Sequence, residues 1–112
     1  MNGTFVSGRA RGHLPNRIRI RYSRNGEPFV LFDLIDFQAS RATVHKCVAV
    51  GTVAETLAAM TISGELLELH GVIGPFARIL PTGKEVCIDR ALKISHFQFL
   101  DEDAVPALPN PA

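Results

Sequence analysis

The chain has 112 residues, 46% hydrophobic and 21% charged, with a mean hydropathy of +0.15, which fits one globular domain with one core and excludes a disordered chain. Its longest apolar runs, such as Pro28–Phe32, are far too short to span a bilayer, and residues 1–8 lack a signal peptide's apolar stretch, so a cytoplasmic protein is expected. The formal charge of +1 conceals a segregation: residues 1–50 carry eight basic and three acidic side chains, residues 51–112 four and eight.

Thr4–Arg11 is expected as a first strand, broken by Gly12-His13-Leu14-Pro15-Asn16. Arg17-Ile18-Arg19-Ile20-Arg21-Tyr22 alternates strictly, the period of a strand with one wet face, and places arginines opposite Ile18, Ile20 and Tyr22. Ser23-Arg24-Asn25-Gly26 contains Asn-Gly, a hairpin signal because both residues tolerate positive φ. Phe29–Phe37, rich in aromatic and branched side chains, is the second major strand, and Thr43–Val50 the third. Thr52-Val53-Ala54-Glu55 has the form of a capping box that opens one short helix, which Ser63-Gly64 stops. Glu65–Ile73 is a strand and Gly74–Lys84 a hairpin tip. Glu85–Ile94 and Ser95–Leu100 supply the last strand, with a bend or bulge between them. Residues 101–112 turn acidic and then Pro-rich, as a short flexible tail.

One short helix between the third and fourth of five major strands is the layout of an all-β, five-stranded OB-fold barrel over residues 1–100. The lone cysteines Cys47 and Cys87 sit among apolar neighbours, so neither a disulfide nor a zinc site is expected. His13, His70 and His96 show no ligand spacing. Asp33 and Asp36, at odd separation, cannot share a strand face as an acid–base pair. With no nucleotide-binding glycine loop or Ser-His-Asp context either, no cofactor and no enzymatic activity are expected. Arg9, Arg11, Arg17, Arg19, Arg21 and Arg24 crowd one short stretch; such density points to a nucleic-acid partner or to a solvated basic face, with about equal weight.

Several segments, in order, resemble the bacterial single-stranded DNA-binding proteins (SSB). Ile20-Arg21-Tyr22-Ser23-Arg24-Asn25-Gly26 is similar to that family's Val-Arg-Tyr-x-x-Asn-Gly turn. His45-Lys46-Cys47-Val48-Ala49-Val50-Gly51, followed by Ala54-Glu55, resembles its His-Arg-x-x-x-x-Gly-x-x-Ala-Glu segment. Gly64, Leu67, Leu69 and Gly71 match its fourth strand, and Phe97-Gln98-Phe99-Leu100 its closing Met-Gln-Phe-Leu. Gly26-Glu27-Pro28-Phe29 with Phe32 and Leu34 resembles equally the related primosomal replication protein N (PriB). The chain departs from SSB in having no tryptophan: Val44 and Val50 stand where that family has stacking aromatics, and no counterpart of its long acidic-tipped tail is expected beyond the short acidic run Asp101-Glu102-Asp103.

The resemblance implies sequence-tolerant binding of single-stranded DNA, or RNA, in replication, recombination or plasmid and phage DNA transfer. It also implies a homodimer or homotetramer, with His45 at a subunit contact. Such binding needs cations along the phosphates and flat π surfaces for bases. The cations expected are Lys46, which matches the family's basic residue, with Arg9, Arg11, Arg17, Arg19, Arg21, Arg78 and Lys84. For stacking, Phe29 and Phe37 lie on the face opposite Val30, Phe32 and Leu34 and are expected outside, as a DNA or a subunit surface. Phe76, near the hairpin tip, either reaches a base or anchors the loop. Tyr22, on the face of Ile18 and Ile20, is expected in the core or at its rim. The second reading is an adaptor or inhibitor that binds a replication or conjugation protein.

Overall fold

The computed structural model describes residues 6–37, 41–61 and 64–100. In chain order the elements are β1 (Val6–His13), β2 (Arg21–Tyr22), β3 (Pro28–Asp36), β4 (Thr43–Val50), α1 (Gly51–Met60), β5 (Leu66–Ile79) and β6 (Glu85–Leu100). The strands lie in the order β1-β5-β6-β4-β3-β2, and an additional β1–β3 pairing, His13 opposite Ile35, closes the sheet on itself. All neighbours are antiparallel except β4 and β6, which run parallel at Cys47–Leu92 and Val48–Lys93. The architecture is therefore mostly β, with one helix between β4 and β5.

Alternation decides what fills the interior. Ala10 on β1, Val30 and Leu34 on β3, Cys47 and Ala49 on β4, Leu67 and Leu69 on β5, and Leu92 and Ile94 on β6 form one buried cluster. Helix α1 closes one opening with Ala54 and Leu57, and Leu14 and Ile18 enter from the segment after β1. A second cluster lies on the other face of β3 and β4. There the hairpin arm of β5 and β6 folds over Phe29 and Val48 and covers them with Phe76, Leu80, Ile88 and Ala91.

Several boundaries differ from the sequence expectation. β1 runs on through Gly12 and His13, because Gly12 is an approach site rather than a breaker: a Cβ there would collide with the backbone carbonyl of Ile35 where β1 meets β3. Of the alternating Arg17–Tyr22 stretch, only Arg21–Tyr22 is strand; Ile18 and Ile20 still face the core, but Tyr22 is 51% exposed. The helix begins one residue before Thr52, with Val50 as N-cap and no side-chain cap, so the Thr52–Glu55 box does not form. Thr61 ends the helix, its N–H and hydroxyl both donating to the Leu57 carbonyl.

β5 extends through Gly74 and Pro75 to Ile79, and a tight turn over residues 80–84 leads into β6. Pro75 is tolerated because it falls in a register shift between Gly74 and Phe76. The bend expected near Ser95 is present: His70 faces His96 and Gly71 faces Ile94, which leaves Ser95 as the extra residue. The Asn25-Gly26 turn forms as read, with Gly26 at φ 88° and Arg21 paired to Phe29. Among the described residues no helix is long and apolar enough to cross a membrane. Thr4, Phe5, Ser63 and the tail lie outside the described residues.

Candidate nucleic-acid interface

Lys46 is placed by the outward parity of β4, opposite Asp33 of β3, and its ammonium lies 3.2 Å from Asp33 Oδ1 with the side chain 58% exposed. An exposed pair of this kind holds loosely, worth well under about 1 kcal/mol, so the ammonium is available to another anion. Lys46 lines two clefts at once. One, of about 380 Å³, is bounded by Arg17, Asn16 and Pro15 on one side, Leu31 and Asp33 of β3 below, and Ile88 of the arm. The other, of about 180 Å³, carries Val44, His45, Ile73, Ala91 and Arg90. Arg17, Lys46 and Arg90 are thereby strung around the outer face of β3, β4 and β6, with apolar side chains between them.

Arg90 was not among the residues expected from sequence. It lies in the acidic half of the chain, where charge counting gives no signal, and only the β4–β6 pairing brings it beside Lys46. His45 occupies the same cleft, half-buried, on the inward parity of β4 opposite Leu34.

The remaining cations are scattered. Arg9 and Arg11 project from the outer face of β1, and Arg9 Nε stands 3.7 Å from Glu68 Oε2. Arg19 is exposed on the segment before β2. Arg21 is exposed too, but its guanidinium lies 5.7 Å from the centroid of the Phe29 ring. Arg78 is committed to the fold: its Nε donates to Glu27 Oε1 at 2.6 Å, and the guanidinium sits 4.6 Å over Phe76. Lys84 is exposed in the hairpin turn, some way along the arm.

The aromatic expectation needs correction at two positions. Phe29 does leave the inward face of β3, as its parity requires, yet it is 0% exposed because the arm covers it. Phe76 is 5% exposed and packs on Phe29 with ring centroids 5.9 Å apart, so it anchors the arm and offers no face to a base. Among the described residues, Phe37, 62% exposed, and Tyr22 are the phenylalanine and tyrosine side chains classed as exposed. The His13 ring lies 6.0 Å from that of Phe37.

Cys47 reaches the wall of the larger cleft but is itself 1% exposed. Burial, with a smaller contribution from the Asp33 charge, pushes its thiol up to about 12, so it is no nucleophile at neutral pH. Among the described residues no three His, Cys, Asp or Glu side chains converge where a metal ion could be held. The chain matches no family model, and no curated protein is significantly similar to it.

Proposed function

We propose that this chain is a sequence-tolerant single-strand DNA-binding protein built on an OB-type barrel, using the outer surface around Lys46. The barrel reading is supported by the circuit β1-β3-β4-β6-β5-β1, by its one parallel pairing, and by the helix between β4 and β5. The observation that carries the binding reading is that Lys46 is shared by two adjoining clefts that also hold Arg17 and Arg90. Phosphates seated along those cations would leave bases free to meet Leu31, Ile88 and the exposed rings of Tyr22 and Phe37. Arg9, Arg11, Arg19, Arg21 and Lys84 add a general positive field that speeds encounter.

With Phe29 and Phe76 buried and no tryptophan present, stacking contributes less than in proteins with aromatic platforms, and phosphate contacts carry most of the affinity. The same burial favours a second reading, an adaptor whose partner is a replication or conjugation protein. Lys46→Ala separates them. On the first reading this substitution weakens oligo-dT binding and lowers the slope of log K against log salt by about 0.7, one phosphate's worth. A variant that binds DNA like the parent, or a parent that binds none, favours the adaptor. RNA would be held by the same phosphate contacts. A cytoplasmic homodimer or homotetramer belongs to this reading as well.

A further inference from the structure

The outer face of β1, β5 and β6 carries a second group of polar side chains, none of which lines the clefts around Lys46. Arg9 on β1 faces His70 on β5, and His70 faces His96 on β6, so the three residues occupy one row across neighbouring strands. Side chains directly opposite one another on such strands have Cβ atoms about 5 Å apart. Glu68 lies beside them, its Oε2 3.0 Å from His70 Nε2 and 3.7 Å from Arg9 Nε. The extra residue of the β6 bulge, Ser95, brings its hydroxyl within 3.1 Å of His96 Nδ1 and donates to the His70 carbonyl at 3.3 Å. The bulge thus fixes one edge of the row.

With both imidazoles neutral, Arg9 and Glu68 balance. Histidine is the side chain whose charge ordinarily changes between pH 5 and 8, and protonating both members of this row leaves an excess of two positive charges. Next to the row stand two further cations, Arg11, opposite Glu68, and Lys93, opposite Val72, while the other charged side chains of β5 and β6, Arg78, Glu85, Asp89 and Arg90, lie at or beyond the Gly74–Phe76 register shift, on the arm. A doubly protonated row next to Arg11 and Lys93 repels itself, and an anion laid across it removes that repulsion. Anion binding and proton uptake are therefore coupled, and each strengthens the other.

We propose that Arg9, His70 and His96 form a proton-dependent phosphodiester site, which draws single-stranded nucleic acid onto this second face as the pH falls from 8 to 6. The inference rests on the single-strand-binding reading above. It is tested by measuring oligo-dT affinity against salt at pH 8 and pH 6 for the parent, for Lys46→Ala, and for the double variant His70→Gln with His96→Gln. The parent is expected to bind about ten-fold tighter at pH 6, with a salt slope larger by about 0.7 for each added phosphate. Lys46→Ala is expected to bind more weakly at both pH values while keeping the increase. The double variant is expected to bind equally at the two pH values.

His13 and His45 remain in that double variant, so an undiminished pH response there assigns the effect elsewhere and overturns the site. A parent that binds with no pH response also overturns it, and leaves the single-strand reading standing. A parent that binds at neither pH overturns both.

Discussion

Phe29 shows how a residue can obey its strand and still end in the core. Its outward parity on β3 places it on the face away from Val30 and Leu34, and the arm then roofs it with Phe76, Leu80 and Ile88. Truncation of a fully buried phenylalanine costs about 3–5 kcal/mol. Phe29→Ala is accordingly expected to lose stability on that scale in urea unfolding, whereas Phe37→Ala, at an exposed ring, is expected to change it by less than about 0.5 kcal/mol. Equal small losses at both positions would contradict the second cluster.

Cys47 gives a prediction in pH. Its folded thiol lies well above the ordinary value of 9.0, at about 12, so above pH 9 the unfolded chain releases a proton that the folded chain retains. The sign is a loss of stability with rising pH, about 1.4 kcal/mol per unit between pH 9 and the folded value. Comparing Cys47→Ala with the parent at pH 8 and pH 10 isolates this contribution, because other titrations are common to both: the gap between them narrows as pH rises. In thiol-reagent assays of the folded protein one cysteine, the exposed Cys87, is expected to react promptly and Cys47 only on unfolding.

At the scale of elements, the β5–β6 arm is the feature that organises the outer surface. It is tied down by the Arg78–Glu27 ion pair, by Arg24 N–H donating to the Ile79 carbonyl, and by the aromatic contact of Phe76 with Phe29. Where the arm meets the closed sheet, Gly71 has no room for a side chain, since a Cβ would drive into the carbonyl of Lys93 on the neighbouring strand. Gly71→Ala is expected to disrupt the β5–β6 register and lower the denaturation midpoint far more than Gly26→Ala. Gly26, with nothing within reach of a Cβ, would suffer only from its positive φ.

Most of the elements were legible because period-two alternation and turn residues are local signals. β3 and β4 follow from them, whereas the helix was read from a Thr52–Glu55 capping box that does not form, although the helix itself does, one residue earlier. What was not legible depended on partners distant in sequence. Gly12 looks like a breaker until β3 is beside it, Pro75 until the bulge absorbs it, and Phe29 looks exposed until the arm arrives. The candidate site divides the same way. Lys46 and Arg17 were visible from local sequence, while Arg90 joins them only through the pairing of β4 with β6, whose partner residues lie more than forty positions apart in the chain.

At the scale of the whole molecule, closure of the sheet mixes the two charge halves of the chain. β1 to β4 come from the basic half and β5 and β6 from the acidic half, so β1, with Arg9 and Arg11, lies against β5, with Glu68, while Lys46 stays near Arg17 and Arg90. The surface is therefore patchy rather than uniformly basic, and its field should act locally and fade with salt. Phe37, just past the end of β3, and Val44, near the start of β4, remain exposed. The oligomer belonging to this reading predicts a solution mass by light scattering that is a multiple of 12.2 kDa, and a monomer would contradict it.

The central claim is that these clefts hold single-stranded DNA through its phosphates. The measurement that tests it most directly is the fluorescence anisotropy of a labelled oligo-dT titrated with the protein at low and at moderate salt, with unlabelled duplex as competitor. The account predicts saturable binding that weakens steeply with salt and that duplex fails to displace. Absence of binding at low salt, or equal competition by duplex, would contradict it.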